Sequence, residues 1–483
     1  MTNELHPSTG LQHKAGILAG RHLRKRVVLS IQRNYTQIGV GAMGREVGTA
    51  ATHSLCNQRT KVRKMKMLCL IPRLAALCLA IAASTTAFGA DNSSAQPAPE
   101  EILKLAEQQQ PQLLETLEKL VNIDSGTGDE QGLAQVENIL VDRLKALGAT
   151  VETQPAETSG GNSIIGTLKG SGEAKIMLMV HYDTVFTKGE AEKRPFRRDG
   201  NRLYGPGVAD AKGGAVVMLH GVEVLNEIDF DGYETLTLFF NPDEEKGSIG
   251  SRELIGELAG KHDYVLSYEP PDRDIVAVAT NGINYVFVDV KGKSSHAGSA
   301  PDQGRNAITE LSHQLLQLQD LGDPEKQTTV NWTIVEGGSK RNIIPAQAKA
   351  EGDMRYSDYS ETKRVINDAT AIIKNQKISD TKVEFRLERG RTPLSPNAAT
   401  KELAALAQTL YKDIGLDLGT GAMGFGTDAG YAYSPDNPNT AVLETLGPMG
   451  KSLHSEDEYV LVDSIAPRVY LTVRMVMALS QQN

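Results

Sequence analysis

The stretch TLTLFFNPDEEKGS, Thr235 to Ser248, joins an apolar run to three consecutive acids. Thr235 to Phe240 read as a strand driven through a core, since β-branched and aromatic residues suit that environment. Asp243, Glu244 and Glu245 stand where that strand ends. Carboxylates at close quarters repel and raise one another's pKa. Placing three of them at the mouth of a core therefore requires something that makes the arrangement favourable.

The elements on either side set the fold class. Upstream, DEQGLAQVENILVDRLKAL (129–147) has helical periodicity and stops at Gly148. The strand AKIMLMVHYD (174–183) follows, then a helix around GGAVVMLHGVEVLNEI. After the Thr235 strand come a helix at SRELIGELAG and a strand at DYVLSYEP. Strands alternating with helices predict an α/β domain with a mostly parallel sheet. In such sheets, sites collect beyond the carboxyl ends of the strands.

From about Ile283 the pattern changes. INYVFVDVKGK, NAITELSHQLLQLQDL, TTVNWTIVEGG, NIIPAQAKAEGDMRY, SETKRVINDATAIIKNQK and TKVEFRLERG read in the order βαββαβ. That is a complete ferredoxin-like unit. The helical pattern at KELAALAQTLYKDIG resumes the first domain, so the unit is an insertion. The expected division is a catalytic part at 91–282, an inserted domain at 283–391 and a second catalytic part at 392–483.

The strand ends carry the chemistry. MLMVHYD ends on His181 and Asp183, LTLFFNPDEE on Glu244 and Glu245, and YVLSYEP on Glu269. Asp210 lies in the Gly-rich loop YGPGVADAKGG before a helix, and His454 in KSLHSEDEYV before the last helix. Each has a plainer reading alone: a structural histidine, a solvated acidic loop, a helix cap. Together they put two histidines and several carboxylates on one rim. Imidazole and carboxylate without thiolate fit zinc, or a relative such as cobalt or manganese. Five ligands exceed what one tetrahedral ion needs, and two ions sharing a bridging carboxylate would use them all.

At these motifs the chain resembles the zinc-dependent aminoacylase and glutamate carboxypeptidase family of metallopeptidases. The matching motifs are HYDTV, YGPGVADAKGG, NPDEEKGSIGSRELI, SYEP, SSHAGSAP, NIIPA and LHSEDEYV, in order from about Glu101 to the C-terminus. The resemblance implies two Zn2+ per chain, bridged by Asp210, with His181 and Glu269 on one ion and Glu245 and His454 on the other. Glu244 would be the general base of a metal-bridging hydroxide, and Asp183 the acid that orients His181. His296, Asn342, Arg355 and Arg391 would bind substrate or its oxyanion from the inserted domain, which would act as lid and dimerisation surface. His296 would reach the partner subunit's site, and the Asp210–Ala211 peptide would be cis. Arg341 departs from the pattern, standing where an uncharged residue is expected. The implied reaction removes a C-terminal glutamate or related acid from N-acyl or peptidyl conjugates such as folates. A broader aminoacylase or dipeptidase keeps the same site, and a non-catalytic periplasmic binding protein is the rival from another class.

The first ninety residues are different material. KVRKMKMLCLIPR leads into the apolar LAALCLAIAASTTA and then polar DNSSAQPAPEE. This is the order of a secretory signal, expected at 65–90 with cleavage after Gly89 or Ala90. Its apolar run is too short for an ordinary membrane span. Residues 1–64 would then precede the true start, at Met65 or Met67, or form a disordered extension. The product would be periplasmic or secreted. All three cysteines, Cys56, Cys69 and Cys78, precede the cleavage point, which excludes a thiolate site from the mature part. From Asp91 onward 38 basic residues face 58 acidic ones, a net charge of −20. A body that acidic is a poor partner for nucleic acid.

Overall fold

The computed structural model describes residues 97–434 and 441–482. The leader at 65–90 and the extension at 1–64 lie outside them. Helix α1 (Pro99–Val121) starts with proline, whose missing N–H costs nothing in a first turn. Helix α2 (Glu130–Ala146) starts where Asp129 accepts the Gly132 N–H, and it gives way at Gly148, with φ +89°. Strands β1 (Thr150–Ala156), β2 (Gly161–Lys169) and β3 (Lys175–His181) follow. Then come α3 (Glu190–Lys193), β4 (Arg197–Asp199), β5 (Arg202–Tyr204), α4 (Lys212–Glu227), β6 (Thr235–Asn241), α5 (Arg252–Ala259), β7 (Tyr264–Ser267) and β8 (Ile275–Thr280).

The inserted unit comprises β9 (Gly282–Lys291), β10 (Ser295–His296), α6 (Ala307–Leu318), β11 (Thr329–Gly337), β12 (Ile343–Ile344), β13 (Gln347–Tyr356), α7 (Tyr359–Ile372) and β14 (Lys382–Arg389). The chain closes with α8 (Ala398–Lys412), β15 (Gly419–Met423), α9 (Ala429–Ala432), β16 (Ala441–Leu443), β17 (Gly450–Lys451), β18 (Tyr459–Leu461) and α10 (Ile465–Leu479).

The central sheet has the order β1-β2-β6-β3-β7-β16. Strands β6, β3, β7 and β16 run parallel, and β1 and β2 form an antiparallel edge. Every residue of β6 is buried, as expected of a strand covered on both faces. Its side chains alternate between two cores. Leu236, Leu238 and Phe240 face the layer of α1, α4 and α10, while Phe239 faces Ile255 of α5 and Ala429 and Ala432 of α9. In the insert, an all-antiparallel sheet of order β11-β13-β9-β14 packs Val286, Val288 and Val290 against Leu311 of α6 and Val365 of α7. The predicted α/β class with a ferredoxin-like insertion is borne out, with the main sheet mixed at one edge.

Helix α4 approaches the end of β7 closely enough to require glycine. A Cβ on Gly214 would stand 2.1 Å from the Tyr268 carbonyl oxygen, beside Glu269. Overpacking against backbone cannot be relieved by a rotamer change. Gly214→Ala is expected to lower unfolding free energy by about 1–3 kcal/mol in urea titrations. An unchanged denaturation midpoint would contradict the close approach.

Candidate active site

Three of the predicted ligands stand where a parallel strand or its following turn meets one rim, and Asp210 and His454 reach it from loops flanking β5 and β18 of a small antiparallel sheet. His181 closes β3, Glu269 follows β7, and Glu244 and Glu245 lie in a single 3-10 turn after β6. Asp210 lies just before α4, and its peptide bond to Ala211 is cis. His454 stands in the turn between β17 and β18, with φ +60°.

The Asp210 carboxylate faces both histidines. Its Oδ1 is 3.1 Å from His181 Nε2, and its Oδ2 is 3.1 Å from His454 Nε2. Glu269 Oε1 lies 3.4 Å from His181 Nε2, and Glu245 Oε2 lies 3.2 Å from His454 Nε2. Two groups capable of holding a metal result, His181–Asp210–Glu269 and Asp210–Glu245–His454, sharing Asp210.

The donor chemistry calls for a cation. His181 Nδ1 is 3.1 Å from the Asp183 carbonyl oxygen, which can only accept, so Nδ1 carries the proton. In the neutral ring Nε2 then points a lone pair at carboxylate oxygens, so a cation, either a proton or a metal ion, must stand between these acceptors. The buried Glu245 Oε1 has no hydrogen-bond partner. A metal ion satisfies all of these at once, and the carbonyl-oriented imidazole is the arrangement metal-bound histidines adopt.

The electrostatics carry the same signature. Burial would raise the Asp210 carboxyl, but the His181 and His454 rings beside it, both drawn toward their protonated, donating forms, outweigh it and hold it below the usual range. Hydrogen bonds to Asp210 and Glu245 push His454 up to about 10. Burial raises Glu269 well above its ordinary value. Burial also pushes Glu244 up to about 7, against the pull of Arg391 and His181. A carboxyl poised near neutrality in a cleft is suited to proton transfer.

Asp183 is buried and fully engaged. It accepts the N–H groups of Glu244 and Glu245 at 3.1 and 3.2 Å and the Thr127 hydroxyl at 2.6 Å. It therefore holds the glutamate turn as well as facing His181 Nδ1 at 3.3 Å. Glu458, absent from the predicted set, accepts N–H groups from Gly207, Ala209 and Asp210 at 3.1, 2.8 and 3.0 Å. It fixes the loop that presents Asp210. Its place within the quoted motif KSLHSEDEYV is its only sequence signal, because its partners are backbone groups.

A cavity of about 810 Å³ opens over Asp210, Glu244, Glu245, Glu269 and His454. Arg391 lines it and is 9% exposed; its Nη1 pairs with Glu244 Oε1 and its Nη2 donates to the Glu244 carbonyl oxygen. Arg355 lines it too, with Nε held by Asp353 at 2.9 Å. His296 and Asn342 do not line this cavity. They sit on the β10–β12 ribbon, where the Ala297 N–H meets the Asn342 carbonyl oxygen at 2.9 Å. His296 is exposed, and its Nδ1 accepts the N–H groups of Gly298 and Ser299 at 3.1 Å each. Arg341 beside them is exposed.

Glu458→Gln tests the loop anchor. An amide offers one acceptor oxygen where three N–H groups converge. Metal affinity, read by competition with a chelator, is expected to fall roughly 10–100-fold while circular dichroism stays unchanged. Wild-type affinity in this variant would remove Glu458 from the site.

Comparison with known proteins follows the same outline. The profile of Peptidase family M20/M25/M40 matches residues 177–478. Carboxypeptidase G2 of Pseudomonas sp. (strain RS-16) is 41% identical over 399 residues, covering 82% of this chain and 95% of that protein. A [LysW]-lysine/[LysW]-ornithine hydrolase of Sulfurisphaera tokodaii is 26% identical over 298 residues, 61% of this chain and 78% of its own. The aminopeptidase PepT structure from Bacillus cereus superposes with a TM-score of 0.66 at 21% identity, covering 77% of this chain and 99% of that one, a likeness of fold. The chain with this two-histidine, shared-carboxylate rim belongs to peptidase family M20/M25/M40 and is a metallohydrolase of the carboxypeptidase and amidohydrolase kind.

Proposed function

We propose that the protein is a dinuclear zinc hydrolase that releases a C-terminal glutamate, or a related acidic residue, from N-acyl or peptidyl conjugates such as folates. The observation that carries this reading is Asp210, whose two oxygens face His181 and His454 separately. One ion would rest on His181, Asp210 and Glu269, the other on Asp210, Glu245 and His454; cobalt or manganese suits the same donors. When bound, such cations polarise a carbonyl and bring the pKa of water toward neutrality.

The chain's own residues do the rest. Glu244 takes the proton of the attacking water and passes it to the leaving amine nitrogen. Asp183 keeps the His181 ring oriented and the glutamate turn in place. Arg391 offers its guanidinium fork to a carboxylate of the leaving residue. Carboxypeptidase G2, 41% identical over most of both chains, supports the glutamate assignment. A broader aminoacylase or dipeptidase is the second reading. Arg355 is held through Nε by Asp353 and Arg391 is paired with Glu244, and a single guanidinium serves any α-carboxylate.

His296 and Asn342, set on an exposed ribbon, would complete the cavity of a second copy and help hold the oxyanion. Ile334 and Val335 on β11, 47% and 60% exposed, and Leu316 on α6, 69% exposed, give the insert an apolar surface for that pairing. The inserted unit then serves as lid and dimerisation domain at 283–391, between catalytic parts at 91–282 and 392–483. The leader at 65–90 would deliver the enzyme to the periplasm or beyond. No helix among the described residues is long and apolar enough to cross a membrane.

The two adjacent glutamates separate base from ligand. Wild type and Glu244→Gln should each hold close to two metals by elemental analysis, with kcat in Glu244→Gln reduced at least ~100-fold. Glu245→Gln should lose metal. Near-normal turnover in Glu244→Gln would refute the base assignment.

Arg391 reads specificity. Arg391→Lys keeps the charge and loses the planar fork, so kcat/KM on an N-acyl-glutamate should fall more than roughly tenfold. On the corresponding N-acyl-alanine the loss should stay within roughly threefold. Equal losses on the two would show that Arg391 reads the α-carboxylate or the fold.

A further inference from the structure

Arg391 is itself held from behind. Asp428, 3% exposed, lies in the loop before α9, and its Oδ1 stands 3.7 Å from Arg391 Nη1. Asp428 Oδ2 accepts from Asn241 Nδ2 at 2.6 Å, and Oδ1 accepts the Ser248 hydroxyl. Both partners are fully buried; Asn241 ends β6, and Ser248 closes the turn that carries Glu244 and Glu245. The neighbouring backbone completes the fit, because a Cβ on Gly426 would come within 2.9 Å of Arg391 Cδ.

We infer that Asp428 is a positioning residue of this site, acting through Arg391. The groups in direct contact with its carboxylate are two donors and a cation, which an acceptor-only side chain satisfies. Burial and the nearby Glu244 carboxylate push it up to about 7, and Arg391 is the largest influence drawing it back toward the ionised form. Asn241 and Ser248 fix the carboxylate at both ends of the glutamate turn. The carboxylate sets where the guanidinium lies, and the guanidinium meets Glu244. Arg391 thus has an anionic anchor on its buried side, and its orientation toward the cavity is settled before substrate arrives. Loss of the anchor leaves Glu244, already paired with Arg391, to hold the buried cation without a counterpull from behind. The inference rests on the proposed role of Arg391 in binding the substrate carboxylate.

A double-substitution cycle on the metal-loaded enzyme tests it. Asp428→Asn is nearly isosteric and removes the charge. KM for an N-acyl-glutamate should rise roughly tenfold, with kcat changing less and metal content unchanged. In an Arg391→Met background, which removes the cation, the same substitution should change kcat/KM by less than about twofold, because the interaction it removes is already lost. Ser248→Ala frees one arm of the carboxylate and should raise KM in the same direction by a smaller factor; it carries the test where Asp428→Asn fails to fold. An equal loss in both backgrounds, from Asp428→Asn or from Ser248→Ala, overturns the inference, as does wild-type KM in Asp428→Asn. The substrate reading fails separately, if wild type shows no preference for an acidic over a neutral leaving residue. The cycle is then run on whichever N-acyl amino acid is hydrolysed.

Discussion

Mutual repulsion among buried carboxylates is the constraint around which this fold is arranged. Asp210, Glu244, Glu245 and Glu269 share one rim, and burial raises the last three. Two histidines and one arginine provide the counter-charge within the chain. The histidine next to Asp183 turns Nδ1 away from the rim, leaving Nε2 and several carboxylate oxygens converging on a place suited to a metal ion. Around that convergence, further buried acids act on the backbone: Asp183 holds the glutamate turn, and Glu458 holds the Asp210 loop. Carboxylates that accept N–H groups in this way stay fixed without competing for the metals.

The sheet supplies rigidity for this cluster. Parallel strands β6, β3 and β7 put His181, the glutamate turn and Glu269 at one edge, in a register set by two different cores. The insert leaves the catalytic layer after β8 and returns at Arg389–Arg391. There the Ile283 N–H meets the Arg391 carbonyl oxygen at 2.9 Å and the Gly390 N–H meets that of Ile283 at 3.0 Å. Arg391 therefore belongs to the junction itself and points into the catalytic rim, unlike His296 and Asn342.

Much of this was legible in the chain because the ligands follow apolar runs. β3, β6 and β7 each announce themselves by composition, and the acids and histidine stand directly after them. The order βαββαβ of the insert was equally plain from alternating strands and periodic helices. Other elements carried no such signal. The edge strand β1 is exposed at most positions, and β4, β5, β17 and β18 are two or three residues long, too short for periodicity. Glu458, Thr127 and Asp428 escaped because their partners are backbone groups or side chains far away in sequence. The position of His296 and Asn342 outside the cavity depends on ribbon pairing, which residue type does not encode.

Adjacent side chains on a strand or tight turn point in different directions, and this site uses that parity. Glu244 turns to Arg391 while Glu245 turns to His454 and Asp210. The same alternation runs through β6, where Phe239 and Phe240 enter opposite cores, while Asp183 fixes the turn that follows. Deleting or inserting one residue in β6 would either exchange the two phenylalanines between cores or drag the glutamate turn off its Asp183 anchor. The segment can therefore accept exchanges of residue more readily than a change of length, and room to alter specificity lies in the loops and the insert.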